Sequence, residues 1–119
     1  MKASDILLAA KQRVERGWCK GQYARDSSGF PCVSNSAEAS RWCAAGAIRV
    51  VSPLTPFVQD DSSPAHEAYN QLARAVGVLS GSRTPVNGVF KWNDDPNTTK
   101  EQVLEAFDQA IKQAIAEGR

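Results

Sequence analysis

The sequence predicts a mostly α-helical, single-domain protein with four main helices and two long loops. Three observations lead to this fold class. Apolar residues recur at steps of three and four in several segments, which is the period of a helix packed on a core. Ser, Thr or Asn residues precede these segments at positions suited to helix N-caps. A length of 119 residues fits one domain with one modest core.

The first helix is predicted to begin at Ser4, a good N-cap, and to end at Gly17. Its apolar stripe consists of Leu7, Ala10, Val14 and Trp18, of which Trp18 either closes the stripe or opens the next segment. Residues 17–35 follow as a loop-rich passage. Two short extended pieces within it, 22–25 and 30–33, flank the turn residues Ser28 and Gly29 and are compatible with a short β-hairpin.

The second helix is expected to begin at Ser34, Asn35 or Ser36. One side of it would carry Ala39, Trp42, Cys43, Gly46, Ala47 and Val50. Gly46 costs about 1 kcal/mol relative to Ala inside a helix. We therefore expect another backbone to approach closely at Gly46, where a larger side chain would prevent the contact.

Residues 52–63 are interrupted by prolines and predict the first long loop. The third helix then begins after Ser62 or Ser63, with Pro64 near its first position, and ends at 80–82. Its apolar stripe is Ala65, Tyr69, Leu72, Val76 and Leu79.

Residues 83–97 predict the second long loop, with a short strand possible around 89–92. The last helix begins at Thr98 or Thr99, which have capping-box partners at Glu101 and Gln102 respectively. Its buried face is predicted to comprise Val103, Leu104, Phe107, Ala110, Ile111, Ala114 and Ile115.

Charge and composition narrow the classes of function. The 14 Lys and Arg residues against 13 Asp and Glu give a formal net charge of +1, which makes nucleic-acid binding unlikely. No apolar run approaches the length of a membrane helix and no signal-peptide layout is present, so a cytoplasmic protein without a membrane partner is expected. The three cysteines are expected to be free thiols.

Four groups of residues resemble the motifs of a small family of short bacterial and phage-encoded proteins of unknown function. These are Gly17-Trp18-Cys19 with Gly21, Ala24-Arg25-Asp26, Arg41-Trp42-Cys43 with Gly46-Ala47, and Trp92-Asn93-Asp94 with Pro96. The resemblance covers roughly residues 5–111. It implies a grouping and carries no catalytic residues. With the small size of the chain, it suggests a phage or mobile-element accessory protein that acts on a host partner.

One candidate site is catalytic. A cysteine at a helix N-terminus has its thiolate stabilised by the helix dipole, and Cys43 would lie there if the second helix began late, near Ser40. His66 would then serve as the base, with Asn93 or Asp94 orienting it. The alternative, which we favour at this stage, is a buried Cys43 among alanines and a His66 exposed on the third helix.

The other candidate site is a binding surface. The three tryptophans could form one cluster that ties the helices together, or part of an exposed patch with arginines at its edge. The binding candidates are Trp18, Arg25, Asp26, Arg41, Trp42, Trp92, Asn93 and Asp94. The spacing of Cys and His residues predicts no metal site, and no cofactor is implied.

The interpretation we favour from the sequence is a non-enzymatic protein that binds a protein partner. A cysteine-dependent hydrolase or transferase using Cys43 is the alternative, and nucleic-acid binding is the weaker one.

Overall fold

The computed structural model describes residues 2–52, 63–78 and 85–119. Within them the protein is mostly helical, with five helices and a small three-stranded antiparallel sheet. The elements are α1 (Ala3–Arg16), β1 (Ala24–Asp26), β2 (Pro31–Cys32), β3 (Ala39–Trp42), α2 (Ala44–Val51), α3 (Pro64–Val76), α4 (Pro85–Asp94) and α5 (Lys100–Ala116). Most of the predicted loop 52–63, the N-cap candidate Ser62, Leu79 and the predicted helix end at 80–82 lie outside the described residues.

Helix α1 follows the predicted apolar stripe except at its ends. It begins at Ala3, so Ser4 lies inside the first turn, and the Asp5 carboxylate accepts a hydrogen bond from the Lys2 backbone N–H at 3.1 Å. Gly17 is the C-cap as predicted. Of the two places open to Trp18, the structure has the second, because the chain becomes extended at Gly17 and takes Trp18 into the next segment.

The predicted hairpin is confirmed. Strands β1 and β2 pair antiparallel, with Ala24 opposite Cys32 and Arg25 opposite Pro31. The Asp26 carboxylate holds the turn by accepting hydrogen bonds from the N–H groups of Ser28 and Phe30, each at 2.9 Å. Gly29 has a φ of +90°, a left-handed conformation that glycine adopts without strain.

The start of the second helix was predicted wrongly. Residues 39–42 form strand β3, which pairs with β1 and gives the sheet order β2-β1-β3. Helix α2 begins only at Ala44, with Cys43 as its N-cap. The steps of three and four between Ala39, Trp42 and Cys43 do not distinguish a helix from a strand that enters one, and pairing with β1 decides in favour of the strand.

The number of main helices was also predicted wrongly. Pro85–Asp94 forms helix α4 instead of a loop with a short strand. Pro85 at the start suits a helix, since its missing N–H has no partner in the first turn anyway. Val86, Val89, Phe90 and Asn93 recur at helical spacing, and Gly88, which suggested a loop, is buried in the packed helix.

The remaining caps follow the sequence. The Ser63 hydroxyl accepts from the His66 N–H at 3.1 Å at the start of α3, and Thr99 forms the predicted capping box with Gln102 at the start of α5. Helix α3 ends at Val76, before the predicted end, because Gly77 takes a left-handed C-cap conformation. Ile115, predicted to be buried, is 64% exposed near the end of α5.

The buried apolar residues form one cluster. Helix α1 packs against α5, α2 and α3, while α3 packs against α4 and α5. Trp42 is the largest fully buried side chain in the cluster, followed by Phe107, Ile6, Leu7, Ile48 and Leu72. This arrangement sets the N-terminus of α2 against the C-terminal turn of α4, and the loop after α1 lies beside both.

Candidate functional site

Asn93 links three of the sequence motifs through four hydrogen bonds. It lies in the last turn of α4 and is fully buried. Its Oδ1 accepts from the Trp18 indole N–H at 2.7 Å and from the Ala44 backbone N–H at 3.0 Å. Its Nδ2 donates to the Cys19 carbonyl and to Asp94 Oδ1, each at 3.1 Å. We call Asn93 and these four partner residues the Asn93 centre.

Asp94 extends the Asn93 centre towards the surface. Its Oδ1 also accepts a hydrogen bond from the Gly21 N–H at 2.8 Å. Next to it, the Lys20 ammonium donates to the Asp95 carbonyl at 2.6 Å. The loop after α1 is therefore fastened to the end of α4 by the side chains of Asp94 and Lys20.

The two Trp-Cys motifs run side by side. Trp18 and Trp42 form a parallel β-bridge, in which the Trp42 N–H donates to the Gly17 carbonyl at 3.0 Å and the Cys19 N–H donates to the Trp42 carbonyl at 3.3 Å. Strand β3 thus has β1 on one edge and the 17–19 segment on the other.

Two glycines allow these backbones to meet. A Cβ on Gly46 would overlap the Tyr23 carbonyl, and a Cβ on Gly17 would overlap the Ser40 carbonyl. The expected close approach at Gly46 is confirmed. At Gly17 the sequence indicated only a helix stop, and its second role depends on a contact with β3 that no local pattern reveals.

Arg25 and Asp26 are committed to the hairpin. The Arg25 guanidinium donates three hydrogen bonds, two to the Lys20 carbonyl at 3.1 and 3.3 Å and one to the Gly29 carbonyl at 2.9 Å. Asp26 holds the turn as described above. Both residues were candidates for binding. In the structure, both also form hydrogen bonds that stabilise the hairpin and the loop before it.

Arg41 differs from the other charged motif residues, Arg25, Asp26 and Asp94, because it is exposed. It stands directly opposite Arg25 in the β1–β3 pair, and the register shifts just beyond this pair, so that Ser40 is the extra residue of a bulge. Bulges change the direction of neighbouring side chains and are frequent at functional sites. Among the described residues Arg41 has no ion-pair partner.

Cys43 is the N-cap of α2, the position that the catalytic hypothesis required. The Gly46 N–H donates to its Sγ at 3.2 Å, an interaction that favours the thiolate. Burial acts in the opposite direction and is larger, so that the pKa of Cys43 is raised to about 12. With a fully buried side chain, Cys43 is a protonated core residue at neutral pH.

The other two members of the catalytic hypothesis have separate surroundings. His66 is half-buried in the first turn of α3. Asp94 Oδ1 is shared between the Gly21 N–H and Asn93 Nδ2. In the described part of the chain no hydrogen bond joins Cys43, His66 and Asp94 to one another.

The three tryptophans have different environments. Trp42 is buried, its indole N–H donates to the Ser34 carbonyl at 2.9 Å, and the guanidinium groups of Arg13 and Arg16 lie over its ring at 5.2 and 5.8 Å. Trp18 is half-buried and bound to Asn93. Trp92 is half-buried and lines a groove of about 480 Å³ with residues of α3 and α5.

Residues 2–52, 63–78 and 85–119 contain neither a candidate metal site nor a candidate membrane-spanning helix. No group of three or more His, Cys, Asp or Glu side chains could hold a metal ion there. No helix in those ranges has the length and apolar character needed to cross a bilayer.

The fold and the Asn93 centre together define a small helical protein with a hairpin sheet, in which the motif residues fasten loops to helix ends. The chain belongs to a family of unknown function, DUF6197, whose sequence model matches residues 1–113. No curated protein and no solved structure matches the chain.

Proposed function

We propose that this protein is a non-enzymatic binding protein that recognises a protein partner through the outer face of its small sheet. We define this sheet face by Arg25, Pro31 and Arg41, which stand opposite one another across the three strands. The observation that carries the proposal is Arg41. It is the charged motif residue that combines exposure with the lack of an ion-pair partner in the described part of the chain.

The backbone beneath Arg41 supports this proposal. Strand β3 is hydrogen-bonded on both edges, to β1 and to the 17–19 segment, and the latter is fastened to α4 by Asn93. A rigid backbone reduces the conformational entropy that a binding residue loses on association. Arginine is also among the residues that most often contribute strongly to protein interfaces.

The cysteine-dependent enzyme has less support. A nucleophilic cysteine acts as the thiolate, whereas burial keeps the Cys43 thiol protonated at neutral pH. The thiol also has no route to a substrate while its side chain is fully buried. Asn93 and Asp94, which were to orient the base, use their side chains to hold the loop after α1.

Nucleic-acid binding has little support as well, because a net charge of +1 provides no long-range attraction for a phosphate backbone. The part of the proposal that names a phage or mobile-element accessory protein, acting in the cytoplasm on a host partner, depends on the resemblance of the motifs and on the small size of the chain.

Quantitative affinity capture tests the proposed function. Tagged wild-type protein, Arg41→Ala and the control Lys91→Ala would be used as baits in the same bacterial lysate. Lys91 is an exposed cation on α4, outside the three strands of the sheet. We expect a specific partner to be recovered with wild type and Lys91→Ala, and its recovery to fall about tenfold with Arg41→Ala. Equal recovery with all three baits, or no specific partner, would contradict the proposal.

A further inference from the structure

We infer that the Arg25–Arg41 pair binds carboxylates of an acidic, extended segment of the protein partner. This inference rests on the proposed function and adds the chemistry of the partner to it. Its starting point is the register of the sheet, in which Arg25 and Arg41 are direct partners across the antiparallel β1–β3 pair. Side chains of such partners stand on the same face, about 5 Å apart at Cβ. Ala24 and Trp42, the next pair, are buried, so the arginines are on the outer face.

Two like charges directly opposite each other are unfavourable in a sheet. A neighbouring carboxylate would normally offset the repulsion, yet neither arginine forms an ion pair with any residue in the described ranges. The nearest acidic residue in the sequence, Asp26, uses its carboxylate to hold the turn. The pair therefore has no carboxylate partner in the described part of the chain.

The two guanidinium groups differ in freedom. Arg25 is fixed by its three hydrogen bonds to carbonyls, which leave two of its five N–H donors unused. Arg41 is exposed. Its Cα and Cγ lie against Gly17, and a larger residue at position 17 would displace them. One fixed and one adjustable guanidinium can each present N–H groups to a carboxylate oxygen.

The sequence that leads up to Arg25 is rich in basic residues, of which Lys11 forms an ion pair with Asp108 and Arg13 and Arg16 lie over the Trp42 ring. Residues 11–25 contain five basic side chains, namely Lys11, Arg13, Arg16, Lys20 and Arg25, against Glu15 alone, a net charge of +4. Since the whole chain has a net charge of +1, all other residues together carry −3. An acidic partner would be attracted to this basic segment.

The spacing favours an extended peptide with acidic side chains at alternate positions. Residues i and i+2 of an extended chain point to the same side and are about 7 Å apart. Arginine side chains that start about 5 Å apart can reach two carboxylates at that distance. Duplex nucleic acid would instead require a longer row of cations, which the net charge of +1 makes difficult to provide.

Fluorescence anisotropy with a defined probe tests this inference. The probe is a short labelled peptide in which two Glu residues are separated by one Ser, and the matched control peptide has Gln in place of both. We expect the Glu peptide to bind wild type and Lys91→Ala alike, about tenfold more weakly to Arg41→Ala, and more weakly as NaCl is added. The affinity of Arg41→Lys should fall in between, because lysine keeps the positive charge and lacks the planar pair of N–H donors of the guanidinium.

Thermal melting of the same variants separates binding from folding. Because Arg41→Ala removes the repulsion with Arg25, its melting temperature should equal or exceed that of wild type. A purely structural Arg41 would lower it.

Three results would overturn the inference: equal binding of the Glu and Gln peptides, equal binding to wild type and Arg41→Ala, or binding of a single-stranded oligonucleotide in place of the peptide. Lysate capture can depend on Arg41 while the Glu peptide neither binds nor displaces the captured partner. In that case the proposed function stands, and the inference that the partner presents an acidic segment is wrong. If capture also fails, both are wrong.

Discussion

The packed faces of α1, α3 and α5 and the Asn93 centre stabilise the same protein by different means. On the three helices, apolar side chains at helical spacing lose contact with water, an effect that has no directional requirement. At the Asn93 centre, one amide satisfies backbone groups of two segments that are not in regular structure with each other. The difference predicts that a change of shape matters on the helices, whereas a change of hydrogen-bonding chemistry matters at Asn93.

The largest expected effect is from Asn93→Leu, which keeps a similar volume and removes the amide. The Trp18 indole N–H, the Ala44 N–H and the Cys19 carbonyl would lose their partner within a buried site. At 1–3 kcal/mol for each orphaned group, we expect the free energy of unfolding to fall by about 4 kcal/mol. Urea denaturation measures this change.

Leu72→Met is the matched control on the helices. Leu72 is fully buried on α3, and a swap of similar volume there should cost less than about 1.5 kcal/mol. If the two variants lose equal stability, the contrast between the two regions is wrong.

Gly46→Ala should have the next largest effect. Helix propensity alone would make this substitution stabilising by about 1 kcal/mol. Because the added Cβ would overlap the Tyr23 carbonyl, which is backbone and cannot rotate away, we expect a net loss of about 2 kcal/mol. The sign of the change in the urea midpoint shows whether the overlap or the helix propensity is larger. A gain in stability would mean that the backbones at Gly46 and Tyr23 can separate at little cost.

The smallest expected effect concerns Cys43 at alkaline pH. The unfolded thiol ionises near its ordinary pKa of 9.0, whereas burial keeps the native thiol protonated up to about 12. The unfolded state therefore binds fewer protons in this window, and stability falls as pH rises. At pH 10 the loss is about 1.4 kcal/mol.

Urea titrations between pH 8 and pH 10, compared with those of Cys43→Ala, isolate this contribution, since Tyr69 also has a raised pKa that both proteins retain. Identical pH dependence in the two proteins would show that Cys43 is accessible to water in the native state. A thiol reagent at pH 8 provides a second check, because half-buried Cys32 should react before Cys19 and Cys43.

Helices whose apolar stripe and capping residues lie within the helix itself or directly before it were predictable from the sequence. The stripe of α1, the Ser63 cap and the Thr99–Gln102 capping box depend on residues within one or two turns of each other, so the local pattern is sufficient. Helix α4 was missed because Pro85 and Gly88 were taken as signs of a loop, whereas one begins the helix and the other is buried within it.

The candidate site was predictable only in part. The close approach at Gly46 followed from the cost of glycine in a helix. The adjacency of Arg25 and Arg41 could not be predicted, because it depends on the register between two strands separated by β2. The four hydrogen bonds of Asn93 likewise join residues that are up to 75 positions apart in sequence.

The sheet order has a consequence for self-association. Exposed strand edges with free N–H groups promote the stacking of chains into aggregates. Here β3 is shielded by the Trp18 bridge, and the outer strand β2 has two residues, one of which is Pro31 and has no N–H. Neither edge of the sheet can therefore readily accept a strand from a second chain. The exposed side chains of Phe30 and Val33 stand next to the β2 edge.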